Sequence, residues 1–270
     1  MRKSSIHSKS LELWGNDLHR NKSAPPHSPQ FEDVFGSTWI DACKGSLLEI
    51  GCGSGSDLRL FSENHRIKSL TAVDIGSNVF DLAKLFEDKH HVEVRHGNAL
   101  HLEFDNSSFD VVYSFGVFHH THSPKLCISE AIRVLKPGGY LFIYLYSSHT
   151  KRPFKRIGIF IETVIMSFMN IFPINIQRMF CFIISPFVWL LFSLPSIIIR
   201  LIGFKRFSKK IPFYFGTHPF SIFNDLKDRL ISPINHRFSD EDIYSIFSDL
   251  QYSELNVVDN ESGIYISAKK

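Results

Sequence analysis

The residues best suited to chemistry lie in segment 47–58, which reads LLEIGCGSGSDL. Its first four residues, apolar except for Glu49, are typical of a short buried strand, and three glycines follow at alternate positions, Gly51, Gly53 and Gly55. Because glycine has no β-carbon, it can take a positive φ and leave room for a ligand. A helix beginning near Asp57 would direct its free N–H groups toward that ligand. The segment therefore predicts a site for a nucleotide-like cofactor.

A second carboxylate stands where the ribose of such a cofactor is expected. The run LTAVD predicts a second strand at 70–74, and Asp74 closes it about twenty residues after the last glycine. A carboxylate at this point can accept hydrogen bonds from both ribose hydroxyls. The alternative is that Asp74 only caps the following helix.

The glycine spacing separates two cofactor classes. A dinucleotide fingerprint, Gly-x-Gly-x-x-Gly, needs its third glycine at position 56, where the chain has Ser56. The observed pattern, E-x-G-x-G-x-G over 49–55, instead resembles motif I of class I S-adenosylmethionine (SAM)-dependent methyltransferases. The resemblance implies that this loop wraps the amino-acid end of SAM and that Glu49 helps to orient it. The cofactor-binding residues implied up to the second strand are Glu49, Gly51, Cys52, Gly53, Gly55, Asp74 and Ile75.

Two later segments extend the resemblance. Gly97-Asn98-Ala99 follows the third predicted strand, where the family commonly has Gly-Asp-Ala and the acid accepts a hydrogen bond from the adenine amino group. The amide oxygen of Asn98 can accept the same bond without a charge, and the N–H of Ala99 is implied to meet an adenine ring nitrogen. Ser114 and Phe115, at the end of the fourth strand, are implied to lie beside the methyl donor.

Segments GVFHHT (116–121) and RVLKPGG (133–139) closely resemble the ubiquinone-type, small-molecule branch of these methyltransferases, and the resemblance runs from Leu47 to about Tyr146. His119 and His120 are candidate catalytic bases, because a histidine near its ordinary pKa can take a proton at neutral pH. His236 is a third candidate. It lies in a cluster at 228–237 resembling a segment that closes over the acceptor in some methyltransferases, and a capped loop with solvated charges is the alternative.

The spacing of histidines and cysteines favours no metal site. His120 and His122 lack a third partner, and the four cysteines form no C-x-x-C pair, so we expect reduced thiols in a cytoplasmic protein. The polar first thirty residues lack the apolar region of a signal peptide. The net charge of +3 gives no argument for nucleic acid, and Ser114-Phe-Gly-Val stands where nucleic-acid methyltransferases carry an Asn/Asp-Pro-Pro-Tyr-type motif.

The order of elements predicts an α/β fold: a Rossmann-like, doubly wound, mainly parallel seven-stranded sheet with an antiparallel C-terminal hairpin and an apolar helical insert. Four parts are expected: an N-terminal arm and helix (1–40), the SAM-binding core (41–150), the insert (151–222), and a C-terminal helix and hairpin (223–270). Predicted helices cover 31–40, 58–64, 78–86, 129–135 and 238–250, and predicted strands cover 47–50, 70–74, 91–95, 110–114, 140–146, 252–258 and 264–268.

The insert is unusual for a plain methyltransferase. No charged residue occurs from Met179 to Ile199, which is long enough for a membrane-spanning helix, but Pro186 and Pro195 interrupt it. Basic residues flank the insert at 151–156 and 205–210, as expected beside an anionic membrane face. Three interpretations stay open: a membrane-embedded or interfacial lid over 151–210, a protein-covered lid over an apolar pocket, and an oligomer interface.

The leading interpretation is a SAM-dependent methyltransferase whose acceptor is small and apolar, or carried on a lipid, at the inner face of a membrane. One alternative is a SAM-binding protein without catalysis, since Asn98 departs from the commoner acid. A nicotinamide-dependent oxidoreductase is disfavoured by the glycine spacing and by the terminal hairpin. The sequence predicts no oligomeric state.

Overall fold

The chain folds into two compact units, and a computed structural model describes its residues 26–208, 211–214 and 216–270. The sheet unit is built from the described residues up to Lys151 together with Ile234–Lys270, and the insert unit is Arg152–Pro233. Most of the expected N-terminal arm, residues 1–25, lies outside the described residues, as do Lys209 and Lys210 of the second basic flank.

The sheet unit contains a seven-stranded sheet in the order β3-β2-β1-β4-β5-β7-β6. The first five strands are parallel to one another, and β7 pairs antiparallel with both β5 and β6. The predicted fold class is therefore confirmed, including the antiparallel terminal hairpin. The strands are β1 (Gly45–Ile50), β2 (Ile67–Asp74), β3 (Val92–His96), β4 (Phe109–Phe115), β5 (Leu135–Leu145), β6 (Glu254–Asp259) and β7 (Ile264–Lys269).

Alternate side chains of the central strands enter two separate apolar layers, one on each face of the sheet. Leu48 and Val112 lie in the first layer, and their neighbours Leu47 and Val111 lie in the second; none of the four is exposed to solvent. Helices cover both faces, which is why the strands read as nearly continuous apolar runs. The helices of this unit are α1 (Pro29–Phe35), α2 (Ser37–Ala42), α3 (Ser56–Glu63), α4 (Val79–Leu85), α5 (Pro124–Val134) and α11 (Asp240–Phe247).

Three local predictions differ from the structure. The single helix expected at 31–40 is two helices that meet at Gly36, where φ is +53°. The helix expected at 129–135 begins earlier, with Pro124 in its first turn, where a missing N–H breaks no helical bond. The strand expected at 140–146 begins earlier, at Leu135, and Lys136–Gly139 lies inside it as an irregularity, because pairing of Phe109 with Leu135 shifts register before Val111 meets Tyr140.

The secondary structure of the insert unit is helical. Its helices are α6 (Pro153–Met169), α7 (Ile174–Val188), α8 (Leu194–Leu201), α9 (Lys205–Ser208) and α10 (Phe223–Ile231), with a π-helical turn (Trp189–Ser193) between α7 and α8. The sequence predicts that Pro186 and Pro195 interrupt the apolar run. In the structure neither proline ends the helical run. Pro195 falls in the first turn of α8, where its missing N–H is tolerated. Helix α10 belongs to the insert unit, whereas the sequence had grouped it with the C-terminal helix.

Candidate cofactor and methyl-transfer site

The glycine loop after β1 is held against the end of β2 by backbone hydrogen bonds. Gly51 has a φ of +81°, and its N–H donates to the carbonyl oxygen of Val73 at 2.7 Å. A β-carbon at Gly51 would lie 2.1 Å from Cγ2 of Val117, so no side chain fits there without movement of Val117. The N–H of Cys52 also donates to Val73, at 3.3 Å. The first glycine is therefore required by both its conformation and its packing.

Gly53 joins the loop to the two elements that follow β2. Its N–H donates to Oδ2 of Asp74 at 2.8 Å, and its carbonyl oxygen accepts from the side-chain amide of Asn78. Asp74 ends β2, and its Oδ1 accepts from the N–H of Gly76 at 2.8 Å. Each oxygen of a carboxylate has two lone pairs, so both keep acceptor capacity for ligand hydroxyls. Ile75, the next residue, is half-buried, and its carbonyl oxygen faces the His96 ring nitrogen at 3.0 Å.

Gly55 starts α3 from a left-handed conformation with φ of +75°. A β-carbon there would lie 2.8 Å from Cδ2 of Leu82 on α4, which packs the loop from its other side. Asp57, in the first turn of α3, accepts hydrogen bonds from the backbone N–H groups of His27 and Ser28 at 2.8 and 2.6 Å. Burial alone would raise the pKa of Asp57, but the bonds from His27 and Ser28 outweigh it and lower that pKa.

Glu49, near the end of β1, has a buried carboxyl group in which one oxygen accepts no hydrogen bond. Only 3% of the residue is exposed, and its Oε2 has no hydrogen-bond partner. Burial raises its pKa well above the ordinary range, and the nearby charges of Asp57 and Asp74 raise it further. Burial also raises the pKa of the Cys52 thiol. Three carboxyl groups thus influence one another around the glycine loop, an environment that favours a cationic ligand.

The ends of β3 and β4 carry the next predicted residues. Asn98 is half-buried, and its Oδ1 accepts from the N–H of Leu100 at 3.0 Å, which leaves one lone pair on that oxygen. Ala99 packs against the first apolar layer. Ser114 is fully buried, and its hydroxyl donates to the carbonyl oxygen of Ile50 at 2.9 Å. Ser114 therefore fixes the end of β4 to the end of β1, rather than presenting a free hydroxyl to a ligand.

Phe115 lies in a stack of three rings at the end of β4. Its ring stacks on Tyr144 with centroids 4.2 Å apart and on His27 with centroids 4.4 Å apart. The same N-terminal segment continues into α1, where Phe31 is fully buried against rings of the second apolar layer. This segment therefore covers one edge of the core and also contacts Phe115.

The three candidate catalytic histidines are brought together in the sheet unit. His119 and His120 lie in a 3₁₀ turn (Phe118–His120) directly after β4, and the carbonyl oxygen of His119 accepts from the N–H of His236 at 2.9 Å. The ring of His119 is buried and stacks on Tyr146 at 3.9 Å, while His120 Nδ1 lies 2.8 Å from the carbonyl oxygen of Ile234. His236 is the most exposed of the three, and partial burial of its ring lowers its pKa.

Comparison with known proteins agrees with this geometry. Residues 48–143 match the family described as "Methyltransferase domain". Residues 48–143 form a class I SAM-dependent methyltransferase domain. The domain includes the glycine loop, Asp74 and Asn98, begins within β1 and ends within β5, and the cofactor of its family is SAM.

Individual relatives match less than half of this chain. The "Probable tRNA methyltransferase 9B" of Mus musculus is 31% identical over 135 residues, which are 46% of this chain and 28% of that protein. The "Phthiotriol/phenolphthiotriol dimycocerosates methyltransferase" of Mycobacterium leprae is 31% identical over 106 residues, 39% of each chain. The chain thus spans well under half the length of these relatives. A solved SAM-dependent methyltransferase from Aquifex aeolicus is 14% identical, with a TM-score of 0.46 over 98% of this chain and 96% of that one.

The residues of the domain fit SAM. The ammonium and sulfonium of SAM are cations, and the unpartnered oxygen of Glu49 lies near the carboxyl groups of Asp57 and Asp74. The backbone of the glycine loop lies close to these carboxyl groups. The Asp74 carboxylate keeps lone pairs that can accept hydrogen bonds from the ribose hydroxyls. Among the described residues, no group of three His, Cys, Asp or Glu side chains could hold a metal ion.

Sequence reasoning missed several residues that shape the site. Asn78 bonds the loop at Gly53, Tyr146 stacks on His119, and His27 contacts both Asp57 and Phe115. Asn78 could have been found, because it lies four residues after Asp74, at the start of α4. The contacts of His27 and Tyr146 join distant parts of the chain, and no local pattern marks them.

Proposed function

We propose that the protein transfers a methyl group from SAM to a small acceptor that is apolar or carried on a lipid, at the inner face of a membrane. The observation that carries the methyltransferase part is the hydrogen bond from Gly53 to Asp74. This bond joins the glycine loop to the end of β2, next to the unpartnered carboxyl of Glu49. The ubiquinone-type branch suggested by residues 116–121 stays a prediction.

The chain's own residues supply alignment and exclusion of water. SAM, when bound, supplies a methyl group already activated on a sulfonium. Glu49 and the loop would hold its amino-acid end, Asp74 its ribose, and Asn98 with the N–H of Ala99 its adenine. The rings of Phe115 and Tyr144 form an apolar wall at the end of β4, which favours a dry site for transfer.

His236 is the proposed proton acceptor of the three histidines. Its lowered pKa keeps it neutral at pH 7, and its ring is the most accessible to an acceptor. His119 is buried and stacked, so its proposed role is to position the main chain of His236 through the bond at its carbonyl. His120, held beside the carbonyl of Ile234, stays a second candidate.

The nature of the acceptor is inferred from the insert unit, because the named relatives match less than half of this chain. The M. leprae relative is named for phthiotriol and phenolphthiotriol dimycocerosates and the mouse relative for tRNA, so the matched region is compatible with different acceptors. The insert unit exposes many large apolar side chains, among them Phe160, Leu191 and Leu201. Such a surface supports an apolar acceptor and a membrane location rather than a nucleic acid.

A binding and turnover experiment tests the proposal. We expect the full chain to bind SAM in calorimetry and not NADH, and to release S-adenosylhomocysteine with a lipid extract but not with tRNA. Asp74→Ala should lose SAM binding, whereas Asp81→Ala, which removes an exposed carboxylate on α4, should keep it. Binding of NADH instead would favour the oxidoreductase alternative, and SAM binding without release in any extract would favour the non-catalytic one.

A further inference from the structure

The long helical run of the insert unit buries its polar side and exposes its apolar side. From Ile174 to Leu201, the buried positions fall on one stripe with spacings of three, four and eight residues, and none is a large apolar residue: Gln177, Cys181, Ser185, Ser193 and Ser196. Three of these serines donate to main-chain carbonyls of the same unit, namely Ser185 to Pro219, Ser193 to Phe213 and Ser196 to Ser208. The stripe is therefore a packed polar interface.

The opposite side of the same run is apolar. Leu191, Leu201 and Phe187 are 67%, 78% and 63% exposed. Helix α6 and the segment after it present the same kind of surface, with Phe160 at 68% and Ile171 at 75% exposed. A protein surrounded by water normally shows the opposite distribution, because its large apolar side chains are buried in the interior. A lipid bilayer is the surrounding in which it is favourable.

The covalent connections of the insert unit restrict how it can meet a bilayer. The N–H of Ser148, near the end of β5, donates to the carbonyl oxygen of Phe238 at 2.7 Å, and Lys151 pairs with Asp240 at 2.7 Å. The chain therefore leaves the sheet unit and returns to it at neighbouring points. Strands β5 and β7, from either side of the insert, also pair in one sheet. Both ends of the insert must accordingly lie on the same side of any membrane.

An even number of crossings is therefore required, and the described residues provide no second one. Within the described residues, one helical run, Ile174–Leu201, is long and apolar enough to span a membrane, with 28 residues and a mean hydropathy of 2.2. The apolar part of α6, at 157–169, reaches only about 20 Å at 1.5 Å per residue, against about 30 Å of hydrocarbon. Glu162 also lies within it, paired with Arg229 at 3.2 Å.

Positive charge is concentrated in residues 151–210. Residues 151–210 contain ten Lys and Arg and one acid, Glu162, giving +9, whereas the rest of the chain, with 20 basic and 26 acidic residues, carries −6. Most of this charge flanks the apolar run, and Arg156, Arg200 and Lys205 are exposed. Basic residues at the edge of an inserted segment bind anionic headgroups.

We propose that the insert unit enters one leaflet of an anionic bilayer without crossing it. Its apolar surface lies among the acyl chains, its polar stripe faces the interior of the unit, and its basic ends lie at the headgroups. The inference deepens the membrane location given under the proposed function and does not depend on methyl transfer.

Vesicle binding tests the lipid partner. The full chain, diluted from detergent, should float with vesicles of phosphatidylglycerol and phosphatidylcholine and bind pure phosphatidylcholine weakly. Arg156→Gln with Lys205→Gln should weaken binding to the anionic vesicles by about thirtyfold. The matched pair Lys44→Gln with Lys68→Gln makes the same charge change on exposed lysines of the sheet unit and should have little effect. SAM affinity, measured separately, should stay unchanged in all four substitutions.

A fluorescent label tests one-sided insertion. The four native cysteines are buried, so Ile171→Cys can be labelled selectively with a nitrobenzoxadiazole probe, and Leu85→Cys serves as the exposed control in the sheet unit. On anionic vesicles, quencher lipids should reduce emission at position 171 and not at 85. Cobalt ions trapped in the vesicle lumen should affect neither label.

Three results would overturn the inference. Equal binding to neutral and anionic vesicles would contradict the role of the basic ends. Quenching of position 171 by lumenal cobalt would show a crossing. A protein that binds no vesicles and forms a stable dimer without detergent, with position 171 protected, would assign the apolar surface to a second copy of the chain. SAM binding that survives any of these results would leave the proposed methyl transfer standing.

Discussion

The two units of the protein differ in which residue types they bury and which they expose. In the sheet unit, Leu48 and Leu141 are completely buried between the sheet and its covering helices. In the insert unit, Leu191 and Leu201 are mostly exposed, while Ser185 and Ser193 are completely buried. The hydrophobic effect sorts side chains according to the surroundings of the fold, so the contrast indicates that the two units are adapted to different surroundings.

The units also treat buried charge differently. The carboxyl groups of Glu49, Asp57 and Asp74 gather around the glycine loop, and Glu49 keeps an oxygen without a partner. In the insert unit, Arg229 pairs with both Glu162 and Asp225, at 3.2 and 3.0 Å. A charge that is paired within the chain is structural, whereas an unbalanced carboxyl group is suited to a ligand.

The largest predicted effect comes from truncating a leucine in each unit. Leu48→Ala should reduce the free energy of unfolding by about 2–5 kcal/mol, because it opens a cavity in a closed core. Leu191→Ala, at a position 67% exposed, should change it by less than about 0.5 kcal/mol. Urea unfolding of the full chain in mild detergent measures both. A similar loss for Leu191→Ala would mean that its side chain is covered by protein.

The next effect concerns the glycine loop and should be confined to the sheet unit. Gly51→Ala should abolish detectable SAM binding and cost about 1–3 kcal/mol, since its β-carbon would meet Val117 at 2.1 Å. Gly116→Ala is the matched control: its φ of +75° is equally unfavourable, but nothing lies within 4 Å of its β-carbon. Calorimetry with SAM and thermal unfolding of both variants distinguish the effect of the steric clash from that of the unfavourable backbone conformation. Equal losses in both variants would show that conformation alone is limiting.

Much of the sheet unit could be predicted from the sequence, because its signals are local. An apolar run followed by alternate glycines specifies β1 and its loop, and Ser239 with Asp242 forms a local cap at the start of α11. Strand ends differ by a few residues because pairing extends them beyond their apolar centres, as at Ile67 of β2. The irregularity at Lys136–Gly139 depends on the register with β4, and the sequence of β5 does not contain that information.

The insert unit was harder to predict for a different reason. Gln177, Cys181 and Ser185 are spaced by four residues, so a polar stripe was present in the sequence. Within an apolar run such a stripe resembles the outer face of an ordinary amphipathic helix. Only the burial of these side chains shows that they face inward.

A smaller effect should link SAM binding to protons at Glu49. Because the pKa of Glu49 is raised, the carboxyl holds a proton to a higher pH than usual, and a bound cation would lower that pKa. SAM binding should therefore release a proton, and its affinity should fall by up to about tenfold per pH unit below the pKa of the free protein. Calorimetry in buffers of different ionisation enthalpy measures the release. Glu49→Gln should remove it, and release that persists in that variant would assign the proton elsewhere.

The smallest effect concerns the contact between the N-terminal segment and the loop. His27→Ala removes the ring that stacks on Phe115 and lies 3.3 Å from Asp57, but keeps the two main-chain bonds to Asp57. Because the ring is 42% exposed, we expect a loss of at most about 1 kcal/mol and a SAM affinity lower by a few-fold. Arg66→Ala, which removes the side-chain bonds to the carbonyls of Ile40 and Asp41 away from the loop, is a control for N-terminal stability alone.

The pH dependence of stability distinguishes this contact from ordinary packing. The pKa of Asp57 is lowered in the fold, so its ionised form contributes stability above its ordinary pKa of 3.8, and this contribution is lost as the pH falls toward the lowered value. His27→Ala should reduce that acid-dependent loss, and Asp57→Asn should remove it. Neither variant should change vesicle binding, because the contact lies wholly in the sheet unit. A change in vesicle binding with unchanged SAM affinity would show that the two units are not independent, and the comparison between them would then need revision.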